Sequence, residues 1–339
     1  MVTSPPYPMI EMWDSIFSEQ NKDIEKALKN NKGRLAFELM HQELDLIWEE
    51  LDRVLIPGGI SCINIGDATR TIDKKFSLYS NHGRILQKFI DLGHHNLPNI
   101  LWRKVTNAPN KFMGSGMLPV GAYVTLEHEW ILIFRKGRRR EFKTLEQKVN
   151  RKESSYFWEE RNIWFSDLWN FSGTKQKLNT KKSRDRSAAY PFEVPYRLIN
   201  MFSVKGEIVL DPFLGTGTTT LASILLERNS VGIEIDVNLR DIITNRIKNQ
   251  SVNQLNDILI ERINTHKSFI ENFHKPLKYF NHHHEIPVMT EQEIEISINA
   301  VDKIKGGDNR FYTYYKAWDK SQLIFDSSNS TETGLSSFL

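Results

Sequence analysis

A glycine-rich turn between two apolar segments is the first candidate binding site in the sequence. Residues 208–222 read IVLDPFLGTGTTTLA, in which a predicted strand leads through Gly215 and Gly217 into a predicted helix. Glycines let a backbone approach a ligand closely, and the free N–H groups at a helix N-terminus favour an anion. The next predicted strand ends at Glu234, with Asp236 just beyond it.

Several kinds of site compete for this turn. A phosphate-binding P-loop needs Gly-Lys-Ser/Thr after the glycines, and no lysine stands here. A dinucleotide site of the Rossmann type needs three glycines, and only two are present. In dinucleotide and S-adenosylmethionine sites alike, the following strand ends in an acid that binds ribose hydroxyls, which is the position of Glu234. A plain strand-to-helix turn is the alternative without a ligand.

A rigid element lies near the start of the sequence, at Ser4-Pro5-Pro6-Tyr7. Paired prolines lack backbone donors and have a fixed φ, so they form a stiff, extended turn. Such a turn usually follows a strand that holds it in place, but only Met1, Val2 and Thr3 precede this one.

The motifs resemble those of amino-methylating DNA methyltransferases. DPFLGTGTT followed by GIEID is similar to the S-adenosylmethionine-binding motif of that family, and TSPPY resembles its catalytic motif. RSAAYPFEVPYRLI is similar to the start of a cofactor-binding helix, although Arg186 and Ser187 depart from the family's His-Pro. DLWN resembles the segment just upstream, and VLIPGG and HEWILIFRKG also fit. The resemblance covers about residues 1–240, and the motif order matches the β group of the family.

The resemblance assigns roles to individual residues. It implies that catalysis rests on Ser4, Pro5, Pro6 and Tyr7. It implies that S-adenosylmethionine is bound by Asp167, Tyr190, Pro191, Asp211, Pro212, Phe213, Gly215, Gly217, Thr218 and Glu234. In this scheme Tyr7 stacks on a base flipped out of duplex DNA. The Ser4 side chain and the Pro5 carbonyl accept hydrogen bonds from the exocyclic amine, so that its lone pair can attack the methyl group directly.

The choice of amine is open at this level. In the family, Ser-Pro-Pro-Tyr is associated with the N4 amine of cytosine, and Asp/Asn-Pro-Pro-Tyr/Phe with the N6 amine of adenine. The serine favours cytosine N4, with adenine N6 as the alternative. Methylation at cytosine C5 needs a cysteine nucleophile, and Cys62 lies in the apolar stretch GISCINIG, which predicts a core position. An RNA or protein methyltransferase, and a DNA-binding protein that has lost catalysis, are further alternatives.

Positive charge is concentrated in two stretches, although the net charge is only +3. Residues 135–152 hold nine Lys/Arg against two Glu, and residues 175–186 hold six against one Asp. Solvated loops or a face that binds a polyanion would both explain this. The family resemblance favours contact with duplex DNA, for which the candidates are Arg138, Arg139, Arg140, Lys181, Lys182 and Arg184. A restriction endonuclease of the same specificity is expected as a genetic partner.

Periodicity predicts an α/β fold with helices on both faces of the sheet, and the family resemblance implies that this sheet is of the Rossmann-like methyltransferase type. Helices are predicted over 37–55, 83–92 and 255–273, and strands at ISCINIGD, NILWRK, EWILIFRKG and residues 208–210 and 230–235. Adjacent histidines in HHHE (282–285) do not share a helix face, so no metal site is predicted. Without an apolar run long enough for a membrane span or a signal peptide, the cytoplasm is the default location.

The composition changes along the chain divide it into four parts. The family resemblance implies that residues 1–137 form the catalytic part, that the inserted basic lobe at 138–187 recognises the target, and that residues 188–250 form the cofactor-binding part. Residues 251–339 form a C-terminal helical extension whose end is expected to be disordered. Aromatic residues in the lobe are expected to form its small core. Because family members usually carry a longer strand before the catalytic motif, we expect either an upstream start or a short central strand with an incomplete adenine pocket.

Overall fold

The computed structural model describes residues 1–104, 113–173, 190–307 and 309–318. These form two compact units. Unit 1 contains Met1, Thr3–Arg140 and Asp167–Gly173, and unit 2 contains Val2, Glu141–Ser166 and the described residues from 190 onward. The predicted lobe at 138–187 is therefore shared between the two units, and residues 174–187 of it lie outside the described residues.

The described helices are α1 (Asp14–Gln20), α2 (Lys22–Lys29), α3 (Gly33–Val54), α4 (Asn81–Asp91), α5 (Leu145–Glu153), α6 (Trp158–Trp164), α7 (Glu193–Phe202), α8 (Thr218–Leu225), α9 (Leu239–Lys248) and α10 (Val252–Glu271). Short 3₁₀ turns lie at Glu11–Trp13 and Glu291–Glu293. None of the described helices is long and apolar enough to cross a membrane.

The described strands are β1 (Val2–Thr3), β2 (Ile60–Ile65), β3 (Ala68–Ile72), β4 (Lys75–Tyr79), β5 (His94–Arg103), β6 (Met113–Gly114), β7 (Ala122–Tyr123), β8 (His128–Lys136), β9 (Leu168–Asn170), β10 (Ile208–Asp211), β11 (Asn229–Gly232), β12 (Tyr279–Phe280), β13 (Pro287–Val288), β14 (Ala300–Gly307) and β15 (Arg310–Lys316). The predicted helices and strands named above are all present, with ends shifted by a few residues.

Unit 1 is built on a mixed sheet with the strand order β1-β2-β8-β5-β9. Strand β8 runs antiparallel to both β2 and β5, and β9 runs parallel to β5. Every residue of β2 after Ile60 is buried, as expected for a strand covered on both faces. The two-residue strand β1 stands first in this strand order, next to β2, and the Cys62 N–H donates to the Met1 carbonyl at 3.0 Å.

The long helix α3 supports this unit through one apolar face. Its buried residues recur at helical spacing and include Ala36, Met40, Leu44, Trp48 and Leu51. The Met40 sulfur also accepts a hydrogen bond from the Met9 N–H at 3.4 Å. The same face therefore packs the core and holds the chain just after the Pro-Pro turn.

Unit 2 contains the parallel pair β10 and β11, joined through α8. The predicted strand over 230–235 is shorter than expected and ends at Gly232. Beyond it the Ile233 N–H donates to the Asp211 carbonyl, and the Leu214 N–H donates to the Ile233 carbonyl. The chain thus stays close to the glycine-rich turn after the strand has ended.

Aromatic residues from the predicted lobe are part of the core of unit 2. Phe157 and Trp164 are buried, but Phe157 stacks on His266 of α10 and Trp164 meets Tyr196 of α7 edge-on. The expectation of a small separate core is therefore wrong for these two residues, because helices from later in the chain cover them.

A buried ion pair joins α6 to α10. The Arg262 guanidinium donates to both oxygens of Glu160, at 2.6 and 2.8 Å, and both side chains are about one-tenth exposed or less. Burial opposes the charge on Arg262, but the Glu160 carboxylate and Tyr196 together hold the pKa of the guanidinium above its ordinary value. Glu160 also accepts the Phe157 N–H, so the start of α6 depends on the same carboxylate.

We predict that Glu160→Gln lowers the free energy of unfolding of unit 2 by about 3–5 kcal/mol, because the Arg262 charge would stay buried without a compensating carboxylate. Urea denaturation monitored by circular dichroism measures the loss. Glu25→Gln, which breaks the solvent-exposed pair with Lys29 on α2, is the control and should change stability little. Equal effects of the two substitutions would contradict the prediction.

Candidate active site

The register of three strands determines which side chains surround the Ser4-Pro5-Pro6-Tyr7 turn. This turn follows β1, and β1 lies beside β2. Because β8 is antiparallel to β2, with Ile65 opposite Trp130, the start of β8 lies at the end of β2. Trp102 of β5 is opposite Glu129, so the end of β5 arrives at the same edge. Residues distant in sequence are thereby gathered around Tyr7.

Polar side chains hold the Tyr7 hydroxyl from three directions. The hydroxyl donates to Glu129 Oε2 at 2.9 Å and accepts from Asn64 Nδ2 at 2.8 Å, and Ser4 Oγ lies 3.2 Å away. Asn64 Nδ2 also donates to Glu129 Oε2 at 2.6 Å, and the Lys104 ammonium donates to Glu129 Oε1. Tyr7 thus contacts a carboxylate and an amide directly, Ser4 contacts Tyr7, and the Lys104 ammonium is joined to this cluster through Glu129.

Gly66 makes room for the Tyr7 ring. A Cβ atom built at Gly66 would lie 2.9 Å from Tyr7 Cε2 and 3.3 Å from Glu129 Cγ. Ordinary side chains do not approach each other so closely, so any larger residue at this position displaces the ring or the carboxylate.

A second set of hydrogen bonds holds the backbone that follows Tyr7. Asn81 Nδ2 donates to the Pro8 carbonyl at 3.1 Å and to the Gly66 carbonyl at 2.9 Å. The Asn81 oxygen is 3.0 Å from Nε2 of His41, a fully buried side chain of α3. Burial lowers the pKa of His41 to about 3, so the imidazole is neutral at physiological pH. The turn is thereby fixed to both the sheet and α3.

An acid–histidine pair occupies the end of β2 next to this turn. His82 Nδ1 lies 2.7 Å from Asp67 Oδ2, and the His82 ring stacks on Trp130 with centroids 4.5 Å apart. These side chains add a planar ring and a carboxylate to the same edge of the sheet.

In unit 2 the glycine-rich turn is stabilised by two acids. Asp211 at the end of β10 accepts the Phe213 N–H at 3.1 Å and the Thr219 hydroxyl at 2.6 Å. Glu234 accepts the Gly215 N–H at 2.8 Å and the Asp236 N–H at 2.8 Å. Gly217 has a φ of +84° and caps α8, a conformation that glycine adopts without strain.

The predicted residues around the start of α7 reach the same turn. The Tyr190 hydroxyl is hydrogen-bonded to the Thr219 hydroxyl, which itself donates to Asp211. Pro191 is buried, and its carbonyl accepts the Val194 N–H in the first turn of the helix. Behind the turn, Arg246 of α9 donates to the Thr216 carbonyl and to the hydroxyls of Thr216 and Thr218.

Most of the predicted cofactor-binding residues therefore lie together in unit 2, in a single turn and its surroundings. These are Tyr190, Pro191, Asp211, Pro212, Phe213, Gly215, Gly217, Thr218 and Glu234. Asp167 belongs to unit 1, where its carbonyl accepts the Leu101 N–H beside β9 and its side chain is exposed.

The predicted DNA-binding residues are described only in part. Arg138 and Arg139 are exposed and Arg140 is half-buried, just after β8 ends at Lys136. They follow the end of β8 opposite to Glu129, so the length of that strand, about 25–30 Å, separates them from the Tyr7 cluster. Lys181, Lys182 and Arg184 lie outside the described residues, and their role stays a prediction.

Sequence reasoning did not identify several polar residues of the Tyr7 cluster. Asn64 and Glu129 are buried polar positions inside apolar strands, and the patterns ISCINI and HEWILIF contain that signal. A buried polar residue in a strand needs a hydrogen-bond partner, which makes such interruptions informative. A polar residue inside an apolar strand could have marked Asn64 and Glu129 as candidates. It could not have predicted that both side chains contact Tyr7.

Comparison with known proteins assigns the chain to a family. A sequence model of the DNA methylase family, of the N6/N4 methyltransferase type, matches residues 1–245. The chain belongs to the DNA methylase family. It is 53% identical over 317 residues to the type II methyltransferase M.MthZI of Methanothermobacter thermautotrophicus, with 92% of this chain and 88% of that protein covered.

Two further relatives agree with this assignment. The type II methyltransferase M.MjaI of Methanocaldococcus jannaschii is 52% identical over 258 residues, with 73% of this chain and 84% of that protein covered. Among solved structures, the putative DNA modification methylase TTHA0409 of Thermus thermophilus, complexed with S-adenosyl-L-methionine, matches with a TM-score of 0.56 at 28% identity. That match covers 73% of this chain and 84% of the other. The predicted α/β methyltransferase fold and the predicted family are confirmed.

The single cysteine of this DNA methylase is a core residue, as predicted. Cys62 lies in the middle of β2 and is 1% exposed. Burial raises the pKa of its thiol to about 12. A thiol without access to solvent and with so little thiolate is not suited to act as a nucleophile on a base.

We predict that Gly66→Ala lowers methyl transfer at least about tenfold, because the new methyl group must displace the Tyr7 ring or Glu129, and small misplacements are costly in catalysis. Gly83→Ala is the matched control. Its Cβ would meet only the Ser80 side chain, and alanine favours the helix α4. Rates of tritium transfer from labelled S-adenosylmethionine to DNA measure both. Equal activity of the two variants would show that the space at Gly66 is not needed.

Proposed function

We propose that this DNA methylase transfers a methyl group from S-adenosylmethionine to the N4 amine of cytosine in duplex DNA, at a specific sequence. The relatives at 53% and 52% identity are type II methyltransferases. Their similarity supports a role as the modification enzyme of a restriction–modification system, with a cognate endonuclease as genetic partner. Methylation of adenine N6 is the alternative within the same family.

The observation that carries the proposal is the serine of the Ser4-Pro5-Pro6-Tyr7 turn, in its hydrogen-bonded position beside Tyr7. Ser4 is half-buried, so its oxygen is within reach of a ligand. Pro5 is buried, and its carbonyl accepts no backbone hydrogen bond within the described part of the chain. Two acceptors on a rigid turn suit an amine with two N–H groups.

The glycine-rich turn of unit 2 fits S-adenosylmethionine. A Cβ added at Gly215 would meet only the Phe213 carbonyl, 4.0 Å away, so the turn is open on that side. Glu234 is half-buried beside it and carries a carboxylate that can accept from ribose hydroxyls. Tyr190, Pro191 and Asp211 would complete the walls, and the resemblance adds Asp167. When bound, the cofactor supplies an electrophilic methyl group on a positively charged sulfur.

The residues of unit 1 act on the base. An exocyclic amine inside a duplex cannot be reached, so the target cytosine is flipped out, and the Tyr7 ring offers a stacking surface for it. Ser4 and Pro5 accept the amine hydrogens and orient the nitrogen lone pair toward the methyl group. No covalent bond between enzyme and base is needed, in agreement with the buried state of Cys62.

The basic residues act on the DNA backbone. Arg138, Arg139 and Arg140 would contact phosphates away from the target base, given their distance along β8 from Tyr7. Lys181, Lys182 and Arg184 would extend this contact. In the proposed domain arrangement, residues 138–187 carry target recognition, residues 1–137 and 188–250 carry the chemistry, and residues 251–339 form an extension.

The product of the reaction tests the proposal. We expect purified protein with S-adenosylmethionine and duplex DNA to yield N4-methylcytosine, detected by mass spectrometry of the digested nucleosides. Tyr7→Ala serves as the inactive control. N6-methyladenine as the sole product would show that the target base is adenine and not cytosine. DNA binding without any methylation would identify a protein that has lost catalysis. Methylome sequencing of a host that expresses the chain gives the recognition sequence.

We predict that Glu234→Ala raises the dissociation constant for S-adenosylmethionine at least about tenfold, because a hydrogen bond to a charged group contributes about 1.5–3 kcal/mol. Isothermal titration calorimetry without DNA measures the change. Glu261→Ala removes an exposed carboxylate of α10 and controls for the loss of charge. A dissociation constant within twofold of wild type for Glu234→Ala would remove this residue from the cofactor site.

A further inference from the structure

We propose that Glu129 is a positioning residue that fixes the direction of the hydrogen bonds around Tyr7 and thereby keeps the Ser4 oxygen an acceptor for the substrate amine. This inference rests on the proposed function, in which Ser4 accepts an amine hydrogen. It adds a residue outside the Ser4–Tyr7 turn, 122 positions along the chain from Tyr7.

The Glu129 carboxylate determines the direction of the first hydrogen bond, the one that it shares with Tyr7. Glu129 is 9% exposed, and its Oε1 accepts a hydrogen bond from the Lys104 ammonium. A carboxylate paired with an ammonium only accepts hydrogen bonds. Its Oε2 lies 2.9 Å from the Tyr7 oxygen, so the proton between these two atoms must come from the Tyr7 hydroxyl.

The orientation of the Asn64 side chain follows from the same carboxylate. The Asn64 nitrogen lies 2.6 Å from Glu129 Oε2, and turning the amide over would place its oxygen there, against another acceptor. The amide nitrogen therefore faces Glu129 and Tyr7, even though Asn64 Oδ1 is buried without a hydrogen-bond partner among the described residues. A bond to a charged group outweighs this unsatisfied neutral acceptor.

The last step reaches Ser4. Since the Tyr7 proton is directed to Glu129, the contact of 3.2 Å between Ser4 Oγ and the Tyr7 oxygen can only be a bond that Ser4 donates. The lone pairs of Ser4 then point away from its own proton, and the contact from Asn64 at 3.5 Å occupies at most one of them weakly. Without the carboxylate, Tyr7 could donate to Ser4, and the Ser4 proton would turn toward the amine hydrogens and oppose them.

Steady-state kinetics of Glu129→Gln tests this role, because glutamine keeps the size of the side chain but can present a donor to Tyr7. We expect kcat to fall about 100-fold, as for the loss of one preorganised group. The dissociation constants for DNA and S-adenosylmethionine should stay within about threefold. Glu127→Gln, two residues earlier and paired with the exposed Arg103, is the matched control and should keep full activity.

A double-variant cycle separates positioning from a general structural role. Tyr7→Phe removes the hydroxyl through which Glu129 acts, so Glu129→Gln should cause no further loss in the Tyr7→Phe background. The proposal would be overturned if the losses of kcat in Tyr7→Phe and Glu129→Gln multiplied in the double variant. It would also be overturned if the fall in kcat of Glu129→Gln only followed a fall in its melting temperature.

A second measurement does not depend on turnover. With tyrosine labelled at Cζ, the ¹³C resonance of Tyr7, identified by its loss in Tyr7→Phe, should move upfield in Glu129→Gln as the hydroxyl stops donating to a carboxylate. An unchanged resonance would overturn the proposal even if wild type methylates DNA. If wild type does not methylate DNA but the resonance moves, the proposed function fails while the hydrogen-bond direction stands.

Discussion

The antiparallel pairing of β2 with β8 is the constraint on which the catalytic edge of unit 1 depends. A shift of this register by one residue would turn every side chain of one strand to the opposite face. Asn64 and Glu129 would then point to opposite faces of the sheet, and Tyr7 would lose one of the two hydrogen bonds that hold its hydroxyl. Most apolar residues of β2 and β8 are buried, so the core itself penalises such a shift.

This dependence connects the stability of the core to the precision of the site. The side chains that contact the Tyr7 turn have polar partners of their own: Asn81 is hydrogen-bonded to His41, and Glu129 is paired with Lys104. The Met40 sulfur accepts the Met9 N–H just after the turn. Two of these supports, His41 and Met40, belong to α3, and Lys104 directly follows β5. The prolines reduce the number of conformations that the turn can adopt, and the surrounding hydrogen bonds stabilise one of them.

The sequence allowed the contiguous parts of the site to be predicted, because TSPPY and DPFLGTGTT carry their chemistry within a few residues. It also predicted the principal helices and strands, since their hydrophobic periods are strong. Asn64, Glu129 and Lys104 could not be placed, because only strand register brings them to Tyr7. Phe157 and Trp164 were assigned to a separate small core because their partners, His266 and Tyr196, come from helices much later in the chain.

The neutral imidazole of His41 also determines how the protein responds to acid. The pKa of His41 is about 3 in the folded state against 6.5 for a free histidine. Below about pH 6.5 the unfolded chain therefore binds a proton at His41 that the folded chain does not bind. This contribution to stability is complete at neutral and alkaline pH and decreases as the medium is acidified. His284 in unit 2 has the same lowered pKa, about 3. Each unit therefore contains a buried histidine whose own contribution to stability decreases on mild acidification.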